Sequence, residues 1–128
     1  LSESNGKVAL RIPMNNGIPL TGLATVESEN RLLSHSSVQT MSVASRALDS
    51  FYLPQVGFMK IDVEGHELSV LRGAERVIAR DRPTLLIEVE NRHRSNAVSS
   101  VVEWLSSRGY QSPVCAGSLQ NLLFEVSR

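Results

Sequence analysis

The second half of the chain, residues 57–128, carries the clearest alternation of hydrophobic and polar positions. Alternating apolar and polar residues are typical of strands, whereas apolar residues three or four positions apart are typical of helices. The two patterns follow one another in turn, which favours a βαβαβ core with a mostly parallel sheet and helices on both faces. The predicted strands cover residues 58–63, 84–90 and 122–126, and the predicted helices cover residues 66–80 and 95–108.

Residues 1–56 show weaker patterns and are predicted to form an irregular segment of β structure and loops. Pro13 ends the first apolar run, and the following Asn15-Asn16-Gly17 is a turn signal. Residues 27–37 are polar and have no period, which predicts a loop. The remaining predicted elements are strands at residues 8–12, 22–26 and 38–43 and a short helix at residues 44–51.

Length and composition predict one domain over residues 1–128. The chain is 41% hydrophobic and 20% charged, as in a folded globular protein. Its 13 basic and 13 acidic residues balance, which argues against nucleic acid as a partner because phosphate binding needs a basic excess. No apolar run approaches the length of a membrane span, so no membrane partner is expected. Cys115 is the single cysteine, which favours a reducing compartment and a cytoplasmic location.

The candidate chemistry lies at the ends of the first two predicted strands of the core. Lys60, Asp62 and Glu64 alternate with apolar residues, so a strand here carries all three on one face. Glu88 and Glu90 occupy the same place on the next strand. Because ligands bind outside the carboxyl ends of parallel strands, these carboxylates are expected to converge on one cleft. The alternative is a structural ion pair, in which Lys60 neutralises Asp62 or Glu64.

Converging carboxylates suit three kinds of chemistry. They bind a hard divalent cation, act as a general base on a hydroxyl, or accept hydrogen bonds from a sugar or nucleoside. The spacing does not choose among these. His66 and His93 follow the two strands, but the sequence contains no H-E-x-x-H zinc motif, no phosphate-binding loop and no nucleophile elbow. A divalent metal is therefore compatible with the residues but has no motif to support it.

The run K-I-D-V-E-G-H-E at residues 60–67, with V-L-R-G-A close behind, resembles the core signature of FkbM-type methyltransferases. This resemblance implies a Rossmann-like class I methyltransferase fold, whose last strands include an antiparallel hairpin, with S-adenosylmethionine as the cofactor. The glycine-rich cofactor loop of that family lies upstream of the matched region, so the chain resembles the C-terminal half with the N-terminal strands missing. The strand at Phe58 then becomes an exposed edge, and this chain alone is expected to be inactive. The resemblance rests on residues 59–67, 70–74, 82–83 and 86–89, and the opening residues 1–10 also resemble the segment that precedes this core. It covers roughly residues 1–90 well and the remainder loosely.

The resemblance also implies a reaction and a set of roles. The expected reaction is O-methylation of a hydroxyl on a sugar or other secondary metabolite, so the partner is a small molecule; the oligomeric state stays open. Two alternatives remain: a catalytically silent interaction domain, and a metal-dependent hydrolase that uses the same carboxylates. The implied roles are catalytic for Asp62, Glu64 and Glu88, cofactor-binding for Asp62 and Val63, and substrate-binding for Lys60, His66 and Glu67.

Overall fold

The computed structural model describes residues 1–28, 30, 32, 37–91, 96–117 and 120–126, which form two β-sheets and a layer of helices. Strands β1, β2 and β3 make a three-stranded antiparallel sheet in the order β2-β1-β3. Strands β4 to β7 make a second sheet in the order β4-β5-β7-β6. The elements are β1 (Gly6–Asn15), β2 (Ile18–Pro19), β3 (Ser37–Ser45), β4 (Phe58–Asp62), α1 (Glu67–Arg72), α2 (Glu75–Asp81), β5 (Thr84–Glu88), α3 (Ala97–Ser106), β6 (Val114–Cys115) and β7 (Asn121–Phe124).

The N-terminal sheet is more regular than the sequence predicts. β1 has ten residues and runs through Pro13, and β3 has nine residues and pairs with β1 along its whole length. β3 reaches Ser45, so the predicted helix at residues 44–51 is wrong; that segment holds only a 3-10 turn at Leu48–Ser50. The predicted strand at residues 22–26 is reduced to one bridge between Thr25 and Arg11. The predicted loop at residues 27–37 lies largely outside the described residues.

The second sheet is mixed, which corrects the expectation of a mostly parallel sheet. β4 and β5 pair in parallel, whereas β7 pairs antiparallel with both β5 and β6. β4 forms one edge of this sheet, and Phe58 is exposed there, as predicted. The predicted last strand is shorter than expected, ending at Phe124, with a single further bridge from Tyr110 to Val126.

The described helices all pack on one face of the second sheet, not on both faces. Side chains from α1, α2 and α3 join the same apolar cluster as the inward residues of the strands. The opposite face carries Lys60, Leu86 and Leu123 and is open over the described residues. Among the described helices, none has the length and apolar character needed to cross a membrane. The buried strand residues of the cluster are Ile61, Leu85, Ile87, Leu122 and Phe124.

The predicted helix at residues 66–80 is broken into α1 and α2, and the break has a tertiary cause. The Gly73 carbonyl accepts a hydrogen bond from the Asp49 backbone N–H at 2.8 Å. The Asp49 carboxylate in turn accepts hydrogen bonds from the backbone N–H groups of Arg76 and Val77, at 2.8 and 3.0 Å. Asp49 thus caps the start of α2 from a distant segment, as an N-cap residue would locally. The cap stabilises a new helix start where the apolar stripe alone predicts continuity.

Candidate active site

Asp62 and Glu88 lie side by side at the carboxyl ends of β4 and β5. They are register partners on neighbouring parallel strands, so their side chains project from the same face of the sheet. That face is the one the helices leave open. Convergence of the carboxylates requires β4 and β5 to be neighbouring strands, and they are. The structure therefore brings Asp62 and Glu88 together.

Lys60 lies on the same face of the sheet and is hydrogen-bonded to Asp62. Its Nζ donates a hydrogen bond to Asp62 Oδ2 at 3.0 Å. This bond and the Asp62 charge raise the pKa of Lys60 above its ordinary value, and the Glu88 charge adds to the effect. The side chains of Lys60 and Asp62 remain 52% and 40% exposed, so the ion pair contributes little to stability. The Asp62 carboxylate consequently stays open to a ligand.

A pocket of about 430 Å³ lies beside this cluster, along the outer edge of β4. Both Asp62 and Val63, the residues expected to bind a cofactor, are in its lining, together with Lys60. The volume lies within the range of small-molecule sites, which are mostly apolar with a few placed polar groups. The apolar lining comes from Leu1, Leu48, Leu53, Val56, Met59, Ile61, Val70 and Ala74.

Glu64 leaves the strand, which corrects the prediction that it shares a strand face with Lys60 and Asp62. β4 ends at Asp62, and Glu64 adopts a left-handed backbone with φ of 51°. Its carbonyl accepts hydrogen bonds from Thr25 Oγ1 at 2.8 Å and Asn30 Nδ2 at 2.9 Å. Thr25 and Asn30 are both buried. A left-handed conformation costs a non-glycine residue about 1–2 kcal/mol, and these two bonds help to hold it.

Glu67 closes the same turn from the start of α1. Its Oε1 accepts a hydrogen bond from the Gly65 backbone N–H at 2.8 Å, and the residue is only 2% exposed. Gly65 has a φ of 105°, which a residue with a side chain rarely adopts. The Glu67 carboxylate thus takes part in the hydrogen bonding of the turn itself. Direct substrate contact by Glu67 would need rearrangement, and its substrate-binding role stays a prediction.

His66 joins three segments of the chain at this turn. Its Nε2 is hydrogen-bonded to Ser2 Oγ at 2.9 Å, and its Nδ1 lies 3.8 Å from Glu27 Oε2. The imidazole is mostly buried, so it anchors the N-terminal residues against the turn. Ser2 and Thr25 were missed as site residues because they lie in weakly patterned sequence; their small hydroxyls, which readily bond to nearby polar groups, were the available signal.

The remaining candidates are less informative. Glu90 is buried, two residues after the end of β5. His93 lies outside the described residues. Among the described residues, no group of three or more His, Cys, Asp or Glu side chains is arranged to hold a metal ion.

Comparison with known proteins decides the family. Residues 7–112 match the methyltransferase FkbM domain. The chain belongs to the FkbM methyltransferase family. The crystal structure of methyltransferase FkbM from Methylobacillus flagellatus KT is similar to it, with 28% identity and a TM-score of 0.55. That match covers 65% of this chain and 23% of the other, so the chain spans about a quarter of that protein. No curated protein matches the chain.

Membership of the family agrees with the site as the structure builds it. The run K-I-D-V-E-G-H-E, on which the resemblance to the family rests, covers the last three residues of β4, the turn that follows and the first residue of α1, so it lies at the candidate site. The family is one of methyltransferases, of which this chain matches the FkbM domain over residues 7–112. The identity of the methyl donor and acceptor must be argued from the residues of the site.

Proposed function

We propose that the chain supplies the β4 and β5 side of a methyltransferase site that uses S-adenosylmethionine and methylates a hydroxyl oxygen. The acceptor is a small molecule, either a sugar or another secondary metabolite. One observation carries the proposal: Asp62 and Glu88 stand next to each other at the carboxyl ends of parallel strands, beside a pocket of small-molecule size. The carboxyl ends of such strands are the usual place for ligands.

The pocket fits the chemistry of the proposed cofactor. When bound, S-adenosylmethionine supplies a methyl group on a positively charged sulfonium. The apolar walls suit the adenine ring, and the Asp62 carboxylate at the pocket favours the positive charges of the ligand. Lys60, paired with Asp62, offers a cation to the ligand's carboxylate. Asp62 and Val63 are therefore the proposed cofactor contacts of this chain.

The carboxylates also suit activation of an alcohol. A hydroxyl is a weak nucleophile until a base accepts its proton, and a positioned carboxylate contributes by general base catalysis. Asp62 and Glu88 share one face, so a hydroxyl between them is in reach of either. Glu64 follows directly and completes the proposed catalytic set. Lys60 fixes the geometry of Asp62. His66 and Glu67, which are hydrogen-bonded within the adjoining turn, are proposed to hold the shape of that turn beside the substrate.

Calorimetry with S-adenosylmethionine tests the proposal. The titration uses this chain and a longer form that carries the region the family places upstream. We expect the longer form to bind, and Asp62→Asn to weaken binding or turnover by at least about tenfold while leaving the fold intact, as expected for loss of a charged contact worth 1.4 kcal/mol or more. Glu103→Gln is the matched control, since it makes the same change on the exposed surface of α3.

Two results would contradict different parts of the proposal. Absence of binding by both forms rejects S-adenosylmethionine as the cofactor. Equal binding and turnover in Asp62→Asn and Glu103→Gln removes Asp62 from the site while leaving the activity itself standing.

A further inference from the structure

Over the described residues each sheet has two edge strands, and these strands differ in how well they are protected from pairing. Proteins protect edge strands by making them short, or by placing charges and prolines in them. β2 has two residues and includes Pro19, and β6 has two residues. β4 is longer but carries Lys60 and Asp62. β3 has nine residues, S-V-Q-T-M-S-V-A-S, without a charge, a proline or a glycine.

The backbone groups of β3 that face this edge follow from the register. Arg11 of β1 exchanges both of its backbone hydrogen bonds with Thr25, on the side of β1 away from β3. The residue opposite Arg11 on β3 is Thr40. In an antiparallel pair, opposite residues are either both bonded to each other or both directed outward. Thr40 therefore directs its N–H and C=O to the free edge. By the two-residue period of a strand, Val38, Ser42 and Ala44 do the same.

We propose that β3 pairs antiparallel with β3 of a second copy of this chain. One register uses all four outward-facing residues: Val38 bonds with Ala44 of the other copy, and Thr40 bonds with Ser42 of the other copy. Met41 then lies on the two-fold axis, opposite Met41 of the other copy. The two three-stranded sheets become one continuous sheet.

Two observations favour a second copy as the occupant. The strand has no charge, so pairing the same strand with itself about a two-fold axis brings no like charges together. Val38 and Met41 are large apolar side chains that are exposed, Met41 by 46%, and both lie in the paired region. Pairing leaves the protected β2 edge at both ends of the new sheet, so the assembly stops at a dimer.

Cysteine cross-linking tests the register. The background is Cys115→Ser, which removes the exposed native thiol. In Met41→Cys, the two cysteines face each other as a non-hydrogen-bonded pair, with a Cα separation of about 4.5 Å that suits a disulfide. In Thr40→Cys, each cysteine faces Ser42 of the other copy, and the two cysteines lie beyond the ~7 Å limit for a disulfide. We expect mild oxidation to cross-link Met41→Cys to a dimer and to leave Thr40→Cys uncross-linked.

Light scattering after gel filtration tests the assembly itself. The native chain is expected to shift to twice the monomer mass as its concentration rises, and Ser42→Lys is expected to remain a monomer. Ala9→Lys is the control, because Ala9 is the register partner of Ser42 on the inner strand and receives the same charge away from the edge. A monomer at every concentration, open-ended aggregates, or equal cross-linking of the two cysteine variants would overturn the proposal.

Discussion

Replacing Gly73 by alanine tests how the N-terminal residues are held against the helices. A β-carbon at this position would overlap the Ser2 carbonyl oxygen and lie 2.9 Å from the Ser2 carbonyl carbon and 3.2 Å from the Glu3 Cα. The Gly73 φ is −71°, which any residue adopts, so the backbone conformation does not require glycine. Glycine is required instead because the backbone of Ser2 and Glu3 passes so close to this position.

Two estimates bound the loss of unfolding free energy in Gly73→Ala. Forcing an extra carbon into a packed site costs about 1–3 kcal/mol. If the N-terminal residues detach instead, the chain loses the hydrogen bond from Ser2 N–H to the Arg46 carbonyl and that between Ser2 Oγ and His66. Two such bonds are worth about 2 kcal/mol together. Both routes predict that Gly73→Ala lowers the free energy of unfolding by about 1–3 kcal/mol.

Urea denaturation, followed through the single tryptophan, measures the effect. Gly22→Ala is the control, since a β-carbon there meets nothing within 4 Å. Helix propensity alone predicts the opposite result, in which Gly73→Ala raises the free energy of unfolding by about 0.5–1 kcal/mol. Deleting residues 1–4 should remove the penalty of Gly73→Ala, because the crossing backbone is then absent. A Gly73→Ala protein as stable as the native chain would refute the reasoning.

Two further changes test single contacts. The Arg80 hydrogen bond, aided by the Val56 backbone N–H, lowers the pKa of Asp81 to about 2. Asp81 therefore contributes stability above its ordinary pKa, near 4, and that contribution is lost as pH falls toward 2. Urea titrations from pH 5 to pH 2 should show a smaller loss in Asp81→Asn than in the native chain; equal slopes would contradict this. Glu64→Gly should leave stability within about 1 kcal/mol of the native value, because relief of the left-handed backbone offsets the flexibility of glycine. The same change should reduce methyl transfer, and full activity would remove Glu64 from the catalytic set.

Local patterns predicted three of the four strands of the second sheet, β4, β5 and β7, because the two-residue period of a strand can be recognised within a few adjacent residues. The alternation at residues 58–63 and 84–90 corresponds to β4 and β5, and their parallel pairing follows from the helical segment between them. The predicted proximity of Asp62 and Glu88 follows from this pairing alone. The mixed character of the sheet was not predictable in the same way, because β7 and β6 are short and their direction depends on tertiary packing.

The break between α1 and α2 lies beyond local reasoning for a different reason. The apolar stripe continues through Gly73, and a single internal glycine costs a helix only about 1 kcal/mol. What decides the break is Asp49, which accepts the first N–H groups of α2 from more than twenty residues upstream. A distant cap leaves no periodic signal at the helix itself. The same holds for Thr25 and Asn30, whose bonds to the Glu64 carbonyl join parts of the chain far apart in sequence.

The polar residues of the candidate site divide by burial into residues that shape the turn and residues that are open to solvent. Thr25, Asn30 and Glu67 are buried and bond to the backbone of the turn, so they set its shape. Asp62 is exposed, and the Glu88 beside it is half-buried. Holding a glutamate in a left-handed turn costs free energy that glycine would avoid. Glu64→Gly therefore separates the cost of the backbone conformation from the contribution of the side chain.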